Sequence, residues 1–134
     1  MLKDIDFDKV VEVAVAIVVN TNDEGVKSYD TYIINYNKVA IDTVLITSRG
    51  YGEIDGEQRK TSTLRKMINE MPAESFAKIE PIDPDLLGIF HEFWVSFMKE
   101  GKMMDKKFLF APDSVVDENL IEIPLLGFKG VMIK

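Results

Sequence analysis

At 134 residues, with 46% apolar and 29% charged side chains, the chain has the balance of an ordinary globular domain long enough to bury a core. It holds no cysteine, which excludes a disulfide framework, a thiolate metal site and a cysteine nucleophile. The net charge of −7, from 16 basic and 23 acidic residues, opposes binding to phosphate backbones and anionic membranes except where cations cluster locally.

Met1 to Asp8 is acidic, with no basic stretch ahead of an apolar block, and does not read as a secretory signal. The longest apolar run, Val10 to Val19, is broken by Glu12 and is too short to cross a bilayer. A soluble, cytoplasmic protein is expected. Val11, Val13, Val15, Ile17 and Val19 alternate with Glu12, Ala14, Ala16, Val18 and Asn20, the pattern of a long β-branched strand inside a sheet. Thr21 to Gly25 is a turn cluster. Tyr29 to Tyr36 and Val39 to Ser48 read as a hairpin joined at Asn37-Lys38. That register places Tyr36 opposite Val39, Ile34 opposite Ile41 and Tyr32 opposite Thr43. Asp55-Gly56 is a tight-turn dipeptide, and it pairs Tyr51 with Lys60 and Arg49 with Ser62.

Ser62 to Met71 shows helical spacing at Leu64, Met67, Ile68 and Met71. A strand running to a turn at Pro72 to Ser75, and returning through Phe76 to Ile82, suits a meander better. Asp83-Pro84-Asp85 opens a single helical turn with Pro at its first position. Phe90 to Phe110 then folds as a hairpin about Glu100-Gly101. Lys99 meets Lys102, Met98 meets Met103, Phe97 meets Met104, Val95 meets Lys106, Phe93 meets Phe108 and His91 meets Phe110. The competing helix through Met98 is opposed by Gly88 and by the aromatic and β-branched content. Leu120 to Leu126 and Phe128 to Ile133 are short apolar pieces split by Pro124 and Gly127, suited to edge or bulged strands. The chain is therefore expected to be all-β. An immunoglobulin-like antiparallel β-sandwich of about seven or eight strands, with at most one or two short helical turns, fills a single domain over residues 1–134.

Chemistry is sparse. His91 is the only histidine, so a histidine metal cluster is excluded, and its register places it among phenylalanines on the apolar face. Ser75-Phe76-Ala77-Lys78 matches Ser-x-x-Lys but sits in a strand, after rather than before Lys60-Thr61-Ser62. Gly50-Tyr51-Gly52 lacks the third glycine and the strand-to-helix context of a dinucleotide loop. Asp83 with Asp85, and Asp113 with Asp117 and Glu118, match no calcium loop. No catalytic, metal or cofactor site follows, and a non-enzymatic domain is expected. Charge is the local departure: residues 49–66 carry five cations against three carboxylates, a net +2 on an acidic chain. Arg49, Lys60, Thr61 and Arg65 are the candidate anion-binding residues there, against a solvated hairpin balanced by its own acids. On the second face of the Phe90–Phe110 hairpin, Trp94, Met98, Met103 and Leu109 form more apolar surface than a monomer usually leaves open. They are either covered by a second layer or form a partner surface, with Lys107 placed for a cation–π contact to Trp94.

Tyr32-Ile33-Ile34-Asn35, then Val44 to Tyr51, then Lys60-Thr61-Ser62-Thr63, and finally Ile123-Pro124-Leu125-Leu126 leading to Lys129-Gly130-Val131, form a recognisable pattern. It resembles a group of short bacterial proteins of about this length, some of which carry a phenylalanyl-tRNA synthetase β-chain label. The likeness spans nearly the whole chain and assigns no activity to any residue. Two functions are weighed, with a small hydrolase using Ser75 and Lys78 a distant third. The first is association with a protein partner or a second copy, such as a homodimer, through a sheet face. The second is a nucleic-acid or synthetase-associated module built on the Arg49–Lys66 cations, which the overall charge makes the weaker expectation.

Overall fold

A computed structural model describes residues 12–134, so Val11, the first residue of the alternating run, lies outside the described residues. Among the described residues ten strands form two antiparallel sheets packed face to face. In chain order they are β1 (Val13–Thr21), β2 (Lys27–Asn35), β3 (Ile41–Ile54), β4 (Glu57–Lys60), β5 (Leu64–Met71), β6 (Ser75–Ile82), β7 (Phe90–Lys99), β8 (Lys102–Phe110), β9 (Ile121–Glu122) and β10 (Lys129–Ile133). Among the described residues the only helical pieces are two 3₁₀ turns, Pro84–Leu86 and Asp117–Asn119. The expected all-β sandwich is the observed architecture. Its strand count is higher than seven or eight, because the fourteen-residue β3 takes two successive partners along one edge.

Sheet A runs β6-β2-β1-β10-β9, so β1 lies at its centre, as its β-branched alternation requires. Sheet B is organised on β3, which pairs β7 on one side and β5 then β4 on the other, with β8 outside β7. The main core lies between the sheets. Val13, Val15, Ile17 and Ile33 meet Ile41, Val44, Ile46, Phe93, Val95, Phe97 and Phe108, all essentially without solvent exposure. Each fully buried side chain of this size contributes roughly 1.5–3 kcal/mol. A bulge in β3 against β7, beside Thr43 with its positive φ of 51°, lets Ile41 and Val44 both point inward.

The β7–β8 hairpin has the register read from the sequence at every position, from Lys99–Lys102 to His91–Phe110. Glu100 and Gly101 both have positive φ, the conformation of a two-residue I′ turn.

Two expected connections are different. The proposed hairpin at Asn37-Lys38 does not exist: β2 pairs β1 and β6, whereas β3 pairs β4, β5 and β7, so the chain crosses between sheets there. The meander turn at Pro72–Ser75 likewise carries the chain from β5 in sheet B to β6 in sheet A. One buried side chain holds both crossings. Asn35 Nδ2 lies 3.1, 3.3 and 2.9 Å from the carbonyl oxygens of Val39, Met71 and Pro72, and its Oδ1 accepts from the backbone and side-chain amides of Asn37. The apolar piece 120–126 is also not a full strand. Only Ile121–Glu122 pairs with β10, and the residues after it fold over the outer face of sheet A.

Candidate functional site

The outer face of sheet B is laid out by register, since directly paired residues share a face. One row runs Met67–Leu45–Ser96–Asp105, the next Arg65–Thr47–Trp94–Lys107, and the next continues through Arg49–Glu92–Leu109. Trp94 is near the middle and is 48% exposed. Leu45, Met67 and Leu109 are exposed around it, and Met103 is 70% exposed toward the hairpin tip beside half-buried Met98. Lys107 Nζ lies 5.9 Å from the Trp94 ring centre. No layer of the described chain covers this face.

Glu92 anchors one end of it. Its side chain is only 10% exposed although it sits on the outer face. Arg49 Nε donates to one carboxylate oxygen at 3.1 Å, Tyr51 donates its hydroxyl to the other at 3.2 Å, and Lys107 Nζ stands at 3.6 Å. Burial pushes the carboxyl up. The hydrogen bonds from Arg49 and Tyr51 and the charges of Arg49 and Lys107 more than offset this, and hold Glu92 below the ordinary glutamate range. The Arg49 guanidinium also lies 5.3 Å over the Tyr51 ring, whose other neighbour is Phe90, stacked at 5.6 Å. Arg49 and Tyr51 are thus fixed in place by their neighbours.

Beside Arg49 the partner strand leaves register. β4 pairs through Tyr51–Lys60, Thr61 N–H then donates to the Gly50 carbonyl at 2.9 Å, and the ladder resumes at Ser48–Leu64. The expected Arg49–Ser62 pair therefore does not form. Residues 61–63 bow away instead, opening a cleft of about 440 Å³ lined by Arg49, Tyr51, Lys60, Thr61, Ser62 and Thr63. Gly50 makes the bend possible: a β-carbon there would meet Thr61 Cγ2 at 3.0 Å and Ile89 Cδ1 at 3.2 Å.

Of the four candidate anion-binding residues, Arg49, Lys60 and Thr61 line this one cleft. Arg65 does not; it lies in the row of Thr47 and Trp94 and borders a separate hollow with Leu45 and Met67. Thr61 has a structural role, since its hydroxyl accepts from Gly50 N–H at 2.7 Å and donates its proton to the Ser62 carbonyl. The bow of 61–63 and the buried Glu92 were not read from the sequence. The failure of strict alternation after Lys60 is a signal for the bow, and nothing local signals the burial of Glu92.

The remaining polar residues have local partners. His91 is buried, and its Nε2 lies 2.7 Å from the Leu86 carbonyl, which accepts and so places the proton on Nε2. Ser75 donates to the Pro72 carbonyl and Lys78 pairs with Asp30 at 3.1 Å, so the two are not joined to each other. Among the described residues no group of three or more His, Asp or Glu is placed to hold a metal ion, and no helix is long and apolar enough to cross a membrane. Comparison with protein-family models, curated proteins and solved structures gives no match, so the functional reading rests on this geometry.

Proposed function

We propose that the protein is a binding module that engages a protein partner through the outer face of sheet B, with Trp94 at the centre of the contact. The observation that carries this reading is the exposure of Trp94, Leu45, Met67 and Leu109 on contiguous rows of a rigid sheet, bordered by Arg49, Arg65, Asp105 and Lys107. Aromatic and methionine side chains with a charged border are the usual composition of such surfaces. The border carries both signs, with Arg49, Arg65 and Lys107 near the Lys60 end and Asp105, Asp42 and Glu70 toward the Met98–Met103 row, so it offers a partner an oriented rather than a uniformly basic rim.

A nucleic-acid platform would need several aromatic rings open to bases. Tyr51 is half-buried, with the Arg49 guanidinium over its ring and Phe90 stacked beside it, which leaves Trp94 as the exposed ring on the rows described. The protein reading is therefore preferred. Sedimentation and quantitative capture with wild type and Trp94→Ala test it. A partner captured by wild type and lost at least tenfold with Trp94→Ala supports the reading, since truncating the centre of an interface costs on the order of 2 kcal/mol. Capture that is indifferent to Trp94 overturns it. A wild-type dimer that Trp94→Ala dissociates would make the partner a second copy.

A further inference from the structure

We infer that the cleft between Arg49 and the Lys60–Thr63 bend is a carboxylate-binding site, which receives an acidic side chain of the partner peptide; it rests on the protein-binding reading only for what carries the carboxylate. The cleft is continuous with the Trp94 rows through Arg49, which lines it and pairs across to Glu92. Arg49 spends its Nε on Glu92, and its two Nη groups make no hydrogen bond among the described residues. Those two nitrogens present the planar fork that matches a carboxylate through two parallel bonds. Because Glu92 and the Tyr51 ring already fix the guanidinium, little freedom is lost on binding.

Lys60 has no ion-pair partner among the described residues, and the Ser62 and Thr63 hydroxyls are exposed donors along the opposite wall. Thr61 holds that wall open rather than contributing a proton. Charge selects the anion. Glu92 neutralises one of the two cations, and Glu53 stands one row further along the hairpin opposite Gln58. A site with one uncompensated positive charge suits a monoanionic carboxylate better than a phosphate dianion.

The test is an amide and arginine-side-chain NMR titration of the full chain at constant ionic strength with acetate, inorganic phosphate and chloride, and with a short peptide alternating Glu and Leu. Acetate should move Thr61, Ser62, Thr63 and the Arg49 Nε–H along one saturable curve. Lys60→Gln should weaken it about fivefold, the loss of one exposed charge pair. Arg49→Lys should weaken it at least as much. Phosphate binding as tightly as acetate, or acetate shifts no larger than those of chloride, would overturn the assignment. The peptide arm separates this site from the wider reading. Peptide binding that needs Trp94 but ignores Lys60 sinks the carboxylate site alone. Acetate binding that needs Lys60, with no peptide bound, retains the site and sinks the sheet-face reading.

Discussion

The two sheets have opposite outer faces. On sheet A, Ala16, Val18 and Ile34 are buried under the chain's own segment, with Ile123 at 0% exposure and Leu126, Tyr36 and Met132 packed beside it. Small side chains at Ala14 and Ala16 let that layer come close. On sheet B, the corresponding central positions are Leu45, Thr47 and Trp94, and nothing in the described chain lies over them. Both faces carry apolar side chains, yet only one has been supplied with a cover. An exposed tryptophan alone is unremarkable on a protein surface. Set against a sister sheet whose centre is covered by the chain's own segment, the bare face is the contrast on which the proposed partner surface rests.

The contrast can be broken most severely at Gly130. It pairs with Val18 in β1 and Ile121 in β9, and a β-carbon there would lie 2.2 Å from the Ile17 carbonyl oxygen and 2.8 Å from Val18 Cα. Because those atoms are backbone, Gly130→Val should cost about 4 kcal/mol or prevent folding, read as lost expression or a collapsed Tm. Ile123→Ala should follow, at about 3 kcal/mol in denaturant unfolding, by opening a cavity beneath the cover. Trp94→Ala should cost the isolated protein only about 1 kcal/mol, since half of the ring is already in water. If Trp94→Ala destabilises as much as Ile123→Ala, the two faces are equivalent parts of the core and the distinction fails.

The smallest effect is electrostatic. Glu92 has a folded-state affinity for protons below that of an ordinary glutamate, 4.5, so it stabilises the fold above that range and loses this contribution as pH falls through its lower folded value. The stability difference between wild type and Glu92→Gln should be full at neutral pH and shrink below about pH 4. A difference that grows on acidification would mean that the carboxyl is not held by Arg49 and Tyr51.

What the sequence disclosed depended on whether a signal was local. The β7–β8 hairpin was legible because period-2 alternation continues through both arms of Glu100-Gly101, and a one-residue slip would have reversed every side chain. Asn37-Lys38 and Pro72–Ser75 carry the same kind of turn signature, but each leads to the other sheet. Turn residues mark where a strand ends and are silent on which sheet the next one joins. The deciding atoms belong to Asn35, whose three carbonyl partners come from two separate stretches of chain. The candidate site divides in the same way. Trp94, Met103 and Leu109 were placed on one face by alternation within a hairpin. The cleft depended on three residues leaving the ladder opposite Arg49, and Arg65, close to them in sequence, falls outside it.

The pairing of β1 with β10 has a consequence for how the molecule is made. Val15 meets Ile133 and Val19 meets Lys129, so the central strand of sheet A waits for a strand that lies far along the chain from it. Until β10 leaves the ribosome, one edge of β1 stays open, and the segment that will cover Ala16 and Val18 has only just preceded it. Such long-range closure is slow, since the entropy of bringing distant ends together is lost before the contacts form. The β-branched run of β1 is then a segment open to mispairing until β10 docks beside it.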